Sequence, residues 1–240
     1  MLDALLDLLF PHRCPACDAL ATGGPGFCPT CAAALVLAPL HACPRCGVPV
    51  HNDGPALPCA DCREHPPPFS AAAAAFLFGG PLADAVARYK GGSVPEFPEI
   101  VAPALAAAAR RTLDSPAGPP RWDFAVSVPP DSLRLARRGF DPGTLVAAAA
   151  ARRLGLRLVR GLLLSAPRPL SQRTLNRAER LRSLRHVFSL AQGVRERLDG
   201  RHVLLLDDVR TTGSTVTACA RVLRTGGVAS VRVATLALVE

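Results

Sequence analysis

The sequence predicts an α/β domain, a parallel sheet flanked by helices, preceded by a small cysteine-rich module. Apolar strand-like runs alternate with helix-like runs in the second half of the chain, as in parallel sheets covered on both faces. One apolar run, 203–206, is followed directly by two aspartates and a loop of threonine, serine and glycine. Near the start of the chain, eight of the nine cysteines form four Cys-x-x-Cys pairs.

The composition favours a folded protein with an anionic partner. The chain has 240 residues, 49% of them hydrophobic, which is enough for one medium-sized domain and a small appendage. The formal net charge is +9, and Lys90 is the one lysine among 28 basic residues. Arginine suits bidentate contact with phosphate, although GC-rich coding produces the same bias. A basic excess of this size favours anionic partners.

The first ten residues predict a short amphipathic helix, with Leu2, Leu5, Leu6 and Leu9 on one face. This stretch lacks the basic start and small-residue cleavage site of a secretory signal. No uninterrupted apolar run reaches the roughly 20 residues of a membrane span. We therefore expect a cytoplasmic protein without a membrane span.

The cysteine pairs predict two structural metal sites. Two Cys-x-x-Cys turns together supply the tetrahedral four-sulfur set that zinc prefers. Consecutive pairing gives one site from the first two turns and another from the last two, and crossed pairing stays open. The spacing favours zinc over an iron–sulfur cluster, and a reduced cytoplasmic chain disfavours disulfides. The predicted ligands are Cys14, Cys17, Cys28, Cys31, Cys43, Cys46, Cys59 and Cys62.

The remaining elements follow in order after three prolines at 66–68, which divide the chain into 1–68 and 69–240. The segment 14–62 has few large apolar residues, so its fold should depend on metal. The predicted elements are a helix at 81–89, a helix at 98–113, a strand at 122–128, a helix at 145–154, strands at 156–159, 187–190 and 203–206, a helix at 215–223, and a final strand within 228–239.

The stretch 203–215 predicts a site for a phosphorylated sugar. The carboxylates of Asp207 and Asp208 can accept hydrogen bonds from a vicinal diol and hold the waters of Mg²⁺. The loop opens a helix, whose unpaired N–H groups and dipole favour a phosphate. A Walker loop would need a Gly-Lys-Ser/Thr ending, and a simple helix cap at Thr212 or Ser214 leaves the double acid unexplained. The phosphate-binding residues would be Thr211, Thr212, Gly213, Ser214 and Thr215.

This loop resembles the phosphoribosyl pyrophosphate (PRPP) loop of type I phosphoribosyltransferases. The cysteine pairs, the segment 88–92, Arg137-Arg138-Gly139-Phe140, the segment 177–182 and the acidic loop together resemble the ComF family in order and spacing. The resemblance covers nearly the whole chain. It implies zinc ribbons fused to a type I phosphoribosyltransferase-like domain, with Asp207 and Asp208 as the catalytic-site residues that hold the ribose and Mg²⁺, and with PRPP as ligand. The family is linked to DNA uptake in natural transformation.

Phosphoribosyl transfer also requires a site for the leaving pyrophosphate. The turn after Val128 reads Val-Pro-Pro-Asp where the family usually has Val-Pro-Leu-His, so Asp131 is a departure. The nearby Arg137 and Arg138 either compensate or form a solvated basic face. The segment 168–177 resembles the hood loop that closes over PRPP and excludes water. Its arginines, Arg173 and Arg177 among them, would neutralise pyrophosphate or alternatively form a nucleic-acid track.

Two functions follow from the resemblance. The first is a ComF-type competence protein that binds PRPP and supports the handling of single-stranded DNA, with a competence helicase as a partner. The second is an active phosphoribosyltransferase of nucleotide salvage or metabolism. The sequence identifies no acceptor nucleophile and leaves turnover and oligomeric state open. Because only 5% of residues are aromatic, backbone electrostatics would dominate DNA binding over base stacking.

Overall fold

The computed structural model describes residues 11–21, 24–50, 55, 57–113, 121–167 and 187–240. Its strands are β1 (Ala71–Leu77), β2 (Phe124–Ser127), β3 (Leu163–Ser165), β4 (Phe188–Leu190), β5 (His202–Arg210) and β6 (Ser230–Leu238). Four of them form a parallel sheet in the order β1-β6-β5-β2, and β3 pairs with β4 in a separate antiparallel ribbon. The predicted fold class is confirmed.

Helices cover both faces of the parallel sheet. The helices of the described residues are α1 (Pro29–Ala33), α2 (Ala60–Glu64), α3 (Gly80–Lys90), α4 (Phe97–Arg111), α5 (Ser132–Arg138), α6 (Pro142–Arg153), α7 (Arg195–Leu198) and α8 (Ser214–Thr225). The apolar sides of α3, α4 and α6 pack with Leu204 and Leu206 on one face. The apolar side of α8 packs with Val203 and Leu205 on the other. Since helices cover both faces of β5, all four consecutive residues 203–206 are apolar.

The central strand β5 is longer than the sequence predicts. It continues beyond Leu206 through both aspartates to Arg210, because β6 pairs with it along the whole length, as far as Arg210 opposite Leu238. The backbone of both aspartates is therefore fixed by the sheet. Only Thr211, Thr212 and Gly213 separate the strand from α8.

Strand β1 was not predicted, because its sequence begins with five alanines, which favour helix over strand. It pairs with β6 on one side, and residues 36–38 cover its other side. There the Leu77 N–H donates to Val36 O at 2.9 Å, and the Ala38 N–H donates to Ala75 O at 3.0 Å. Small side chains also allow close approach: a Cβ on Gly47, whose φ is 68°, would lie 2.4 Å from Ala72 O.

Two predicted strands do not join the main sheet as expected. The segment 156–159 makes a single parallel bridge, between Leu158 and Ala125. The segment 187–190 forms β4, whose Phe188 packs with Leu163 and Leu198 below the α8 face. The predicted N-terminal helix at 1–10 and the hood segment 168–177, including Arg173 and Arg177, lie outside the described residues. Within the described ranges, no helix has the length and apolar character that crossing a membrane requires.

Candidate functional site

The C-terminal ends of β2 and β5 form the floor of a cleft of about 300 Å³. Parallel strands place their carboxyl ends at one edge of a sheet, and ligands of such sheets bind there. The aspartates after the β5 apolar run lie in this cleft together with two threonines of the following loop. The cleft is lined by Lys90, 128–131, Arg134, Leu135, Arg138, 140–143, 207–209, Thr211 and Thr215.

The two aspartates have different surroundings within the cleft. Asp208 forms an ion pair with Lys90, with its Oδ2 2.5 Å from Nζ. Asp207 Oδ1 accepts a hydrogen bond from the Asp208 N–H at 3.0 Å. Burial, and then repulsion from Asp208, raise the pKa of Asp207 well above its usual value, and the charge of Lys90 opposes this. A cation or a hydroxyl donor entering the cleft would stabilise the ionised form of Asp207.

The loop after the aspartates leads into the start of α8. Gly213 occupies the N-cap position in the left-handed conformation, with φ 74°, and itself has no side chain to cap the helix. The Thr212 hydroxyl oxygen lies 2.8 Å from that of Ser214 and accepts a long hydrogen bond, of 3.5 Å, from the Ser214 N–H. The other N–H groups of the first turn have no intrahelical partner, which suits an anion. Thr212 is thus a weak hydroxyl cap, and the phosphate loop stays a prediction.

Asp131, the departure from the family pattern, caps helix α5. Its Oδ1 accepts hydrogen bonds from the N–H groups of Leu133 at 3.0 Å and Arg134 at 3.1 Å. The carboxylate thus occupies the helix end at which the sequence analysis expected pyrophosphate. Asp141 caps α6 in the same way by accepting from the Thr144 N–H at 3.2 Å. The acid at position 131 has a structural role that the sequence pattern did not reveal.

Replacing Asp131 by serine should increase the affinity of the cleft for anions. Serine is also a good N-cap, so Asp131→Ser keeps the cap and removes one negative charge from the cleft wall. We expect pyrophosphate to bind about threefold more tightly or better, as one screened charge at cleft distance allows. Calorimetric titration would measure the change, and Asp131→Ala, which loses the cap and about 1 kcal/mol of stability, is the control for folding. Equal pyrophosphate affinity in Asp131→Ser and wild type would contradict this prediction.

A second, basic cleft of about 420 Å³ adjoins the first. The first cleft, which contains Asp207 and Asp208, is called the acidic cleft below. The basic cleft shares Lys90, Arg134, Arg138 and Phe140 with it and adds Arg137 and the two glycines that follow α3. Of the four arginines predicted to bind pyrophosphate, Arg138 therefore lines both clefts and Arg137 only the basic one, while Arg173 and Arg177 lie outside the described residues. The arrangement separates an acidic floor from a basic wall, which suits a ligand that carries both a sugar diol and phosphates.

Lys90 is the site residue that sequence reasoning missed. It lies in the family segment 88–92, but only the structure shows that it contacts Asp208. The preceding Tyr89 fixes this end of α3: its hydroxyl donates to Pro142 O at 3.2 Å, and its ring centroid is 5.8 Å from that of Phe140. The signal available in the sequence was that Lys90 is the chain's one lysine. An ammonium group is a compact charge, which suits a short contact with one carboxylate oxygen.

The eight paired cysteines form two four-thiol clusters, and the consecutive pairing is the one found. Within each cluster, all sulfur atoms lie within 4.8 Å of one another. Tetrahedral zinc with Zn–S bonds of about 2.3 Å requires sulfurs about 3.8 Å apart. The Cys17–Cys28 and Cys46–Cys59 sulfur distances are each 3.7 Å, far beyond a disulfide bond, and the cysteines are free thiols. The clusters therefore fit two structural zinc sites.

One thiol of each cluster has a pKa below its ordinary value. At Cys43, the hydrogen bond with the Cys46 thiol lowers the pKa to about 4, although burial opposes it and backbone N–H groups assist. The Cys59 N–H lies 3.3 Å from this sulfur. At Cys14, burial works to raise the pKa, but backbone N–H groups outweigh it and the pKa falls to about 6. Both thiols thus favour the thiolate, the form that binds metal.

The first cluster also contacts the helix that carries Lys90. Asp18, in the left-handed conformation with φ 66°, follows the Cys14–Cys17 turn. Its Oδ1 accepts a hydrogen bond from Arg88 at 2.5 Å. Arg88 precedes Lys90 by two residues on α3. The first cysteine cluster is therefore connected to the acidic cleft through Asp18 and this helix.

Comparison with family models identifies both parts of the chain. Residues 5–63 match the model described as "Double zinc ribbon domain". Residues 142–239 match the model described as "Phosphoribosyl transferase domain". The second match contains both aspartates, the loop and α8.

Comparison with individual proteins extends the similarity over nearly the whole chain. DNA utilization protein YhgH of Salmonella typhi is 34% identical over 230 residues, covering 94% of this chain and 96% of that protein. Competence protein F of Haemophilus influenzae is 32% identical over 108 residues, covering 45% of this chain and 47% of that protein. A solved structure of the allosteric regulatory enzyme of purine biosynthesis aligns with a TM-score of 0.36 at 21% identity, over 58% of this chain and 25% of that one.

Proposed function

We propose a function from the premise that this chain belongs to the ComF family, with DNA utilization protein YhgH and Competence protein F. In this proposal the chain binds PRPP with Mg²⁺ and supports the handling of single-stranded DNA during uptake. The observation that carries the ligand half is the geometry of one cleft. The adjacent acids Asp207 and Asp208 line the same space there as Thr211 and Thr215, which flank the start of α8. We place this activity in the cytoplasm, where the thiols of both clusters stay reduced.

Each part of PRPP has a matching part of the cleft in this proposal. Asp207 and Asp208 accept the ribose hydroxyls and would hold Mg²⁺, which neutralises pyrophosphate oxygens when bound. The N–H groups at the start of α8 bind the 5′-phosphate. The basic wall of Arg134, Arg137 and Arg138 attracts the pyrophosphate. Before ligand binding, Lys90 compensates the negative charge of Asp208 through their ion pair.

The PRPP assignment is tested by calorimetric titration of the zinc-loaded wild-type chain. We expect PRPP to bind in the presence of Mg²⁺ and to bind more weakly when Mg²⁺ is removed. Ribose 5-phosphate and pyrophosphate, titrated separately, should each bind less tightly than PRPP, because each fills only part of the cleft. Each should also compete with PRPP for binding. Absence of PRPP binding with Mg²⁺ present would contradict the assignment.

An active phosphoribosyltransferase of nucleotide salvage or metabolism is the second candidate function. The match of residues 142–239 to a phosphoribosyl transferase domain favours it. Transfer differs from binding by the release of pyrophosphate as an acceptor attacks the sugar. Incubation of PRPP–Mg²⁺ with nucleobases and single-stranded DNA, with a coupled assay for pyrophosphate, distinguishes the two candidates. Pyrophosphate release that requires both the protein and an added acceptor would establish transfer, whereas release with the protein alone would indicate hydrolysis.

The DNA half of the proposal predicts binding to phosphates through the basic cleft. The logarithm of the binding constant for a single-stranded oligonucleotide should fall linearly as the logarithm of the salt concentration rises, because arginines that neutralise phosphates release counterions from the DNA. We expect Arg137→Gln/Arg138→Gln to weaken binding and to reduce this slope by about 1.4, at about 0.7 for each lost contact. Fluorescence anisotropy at several salt concentrations measures both quantities.

A matched control is available on α6, which also ends in two consecutive arginines. Arg152 and Arg153 are exposed, and they lie at the far end of the helix from the cleft. The variant Arg152→Gln/Arg153→Gln removes the same charge and should keep the wild-type slope. If both double variants changed the slope equally, binding would depend on net charge and not on the basic cleft. Absence of DNA binding at low salt would contradict the DNA role.

A further inference from the structure

Lys90 lies at the boundary between the acidic cleft and the basic cleft, and it is one of the residues that line both. Its ammonium nitrogen lies 2.5 Å from Asp208 Oδ2, while 31% of its side-chain surface stays exposed. One carboxylate therefore holds the lysine in the free protein, and part of its side chain remains accessible to a ligand.

The backbone that carries Lys90 is fixed by contacts of the two preceding residues. Tyr89 is buried, and its hydroxyl donates to Pro142 O at 3.2 Å. Arg88 donates to Asp18 Oδ1 at 2.5 Å. These contacts hold the end of α3, whereas the lysine side chain is a flexible four-carbon stem with a compact charge at its tip. A change of partner by the ammonium group thus requires movement of the side chain alone.

The basic cleft offers the ammonium group open space beside its present position. Gly91 and Gly92 follow Lys90 and line this cleft. A Cβ on Gly92, whose φ is 87°, would meet no atom of the described residues within 4 Å. Three arginines, at 134, 137 and 138, line the same cleft. An anion that these arginines bind would attract the ammonium group of Lys90 as well.

The acid pair loses a countercharge if Lys90 leaves it. Burial, and then repulsion from Asp208, raise the pKa of Asp207, and the charge of Lys90 opposes this rise. Without a replacement for the ammonium group, the repulsion between the two carboxylates would increase. Carboxylates are ligands that Mg²⁺ accepts, and this ion would supply two positive charges in place of one. Departure of Lys90 is therefore favourable when such a cation takes its place.

We propose that Lys90 exchanges partners: it pairs with Asp208 in the free protein and with the diphosphate group of the ligand once Mg²⁺ occupies the acid pair. The identity of this ligand rests on the proposed function, whereas the exchange itself does not. Mg²⁺ and the diphosphate each draw Lys90 and Asp208 apart, so each increases the affinity of the protein for the other by the same factor.

The exchange is tested by calorimetric titration of the zinc-loaded chain with Mg²⁺ and with pyrophosphate, in separate experiments because pyrophosphate chelates Mg²⁺ in solution. In Lys90→Met we expect Mg²⁺ to bind at least about fivefold more tightly, a modest coupling between sites, because no ammonium group competes for Asp208. Pyrophosphate should bind at least about tenfold more weakly, as loss of a charged hydrogen bond predicts. A general loss of folding would weaken both.

Arg138→Met is the matched control for charge, because Arg138 also lines both clefts. This variant removes one positive charge and leaves the ion pair between Lys90 and Asp208 in place. Pyrophosphate affinity should fall in this variant too, whereas Mg²⁺ affinity should rise less than in Lys90→Met. An equal rise of Mg²⁺ affinity in both variants, or no rise in Lys90→Met, would overturn the exchange.

Asp208→Asn tests the exchange from the other partner. It removes the carboxylate that holds Lys90, so pyrophosphate should bind more tightly than to wild type when Mg²⁺ is absent. The gain should be smaller when Asp208→Asn is combined with Lys90→Met, because no ammonium group is left to be released. Equal gains with and without Lys90 would show that loss of the negative charge acts alone, and would contradict the release of Lys90.

Failure of the exchange and failure of the proposed function give different results. Absence of PRPP binding by wild type would contradict the proposed ligand, while opposite changes of Mg²⁺ and pyrophosphate affinity in Lys90→Met would still support the exchange. PRPP binding by wild type without those opposite changes would overturn the exchange alone. If Lys90→Met does not fold, Lys90→Gln, which also removes the charge, should show the same two directions of change.

Discussion

Replacement of both cleft aspartates, Asp207→Asn/Asp208→Asn, should lower the affinity for PRPP with Mg²⁺ by at least about 100-fold, since charged hydrogen bonds are each worth about 1.5–3 kcal/mol. Asparagine keeps the size and shape of the side chains and removes the two charges that would hold Mg²⁺ and orient the ribose. Calorimetric titration measures the affinity. Asp84→Asn is the matched control, because Asp84 is exposed on α3 and its loss should leave PRPP affinity unchanged. Equal affinity in the double variant and wild type would refute the site assignment.

The single variant Asp207→Asn should show that this loss does not arise from unfolding. Burial and the neighbouring Asp208 raise the pKa of Asp207 in the folded state. A raised pKa means that its contribution to stability is present at low pH and is lost as pH rises through the folded-state value. Asp207→Asn should therefore be more stable than wild type at pH 8, by about 1 kcal/mol. The difference should shrink towards pH 5 in thermal melts, and destabilisation at pH 8 would contradict it.

Loss of one zinc ligand should have the largest effect on stability. We expect Cys62→Ser to lower bound zinc from two ions to one per chain, because the second cluster loses one of its four sulfurs. The segment around 43–62 contains little apolar surface, and binding of a structural zinc contributes about 10 kcal/mol or more to folding in small modules. Metal analysis measures the stoichiometry, and limited proteolysis should show new cleavage within this segment.

The buried Cys219 on α8 is the matched control for this experiment. It belongs to neither thiol cluster among the described residues. Cys219→Ser should keep two zinc ions per chain and the wild-type proteolysis pattern, at a modest cost in stability from burying a hydroxyl. If Cys62→Ser retained two zinc ions, the assignment of the second cluster would be wrong.

The parts of the fold that were predictable from sequence have strong local patterns. The apolar run 203–206 predicts a buried strand from its own sequence alone. The acidic residues that follow it then lie at the carboxyl edge of the sheet. The parts that were not predictable depend on distant contacts. Strand β1 is alanine-rich because a metal-binding turn packs against its backbone at Gly47, and nothing in the run 71–75 itself indicates this.

The functional site shows the same division. The loop that joins β5 to α8 was predictable because glycine and hydroxyl residues have local reasons to follow a strand, and its phosphate binding stays a prediction. The pairing of Lys90 with Asp208 joins residues more than a hundred positions apart, so only the fold could show it. The capping role of Asp131 was not predicted, because a carboxylate at a ligand site and a carboxylate that caps a helix look alike in the sequence. The N–H donors that distinguish them belong to its own helix.

The antiparallel cover of β1 by residues 36–38 has a consequence for the solution behaviour of the protein. These residues lie between the two metal clusters, so their position depends on both ions. If chelation released them, an apolar edge strand with unpaired N–H and C=O groups would become available to another chain. Chelation should therefore be followed by self-association as well as by local unfolding, and restored zinc should reverse the self-association by returning this cover. The two metal sites would then protect the edge of the sheet from aggregation.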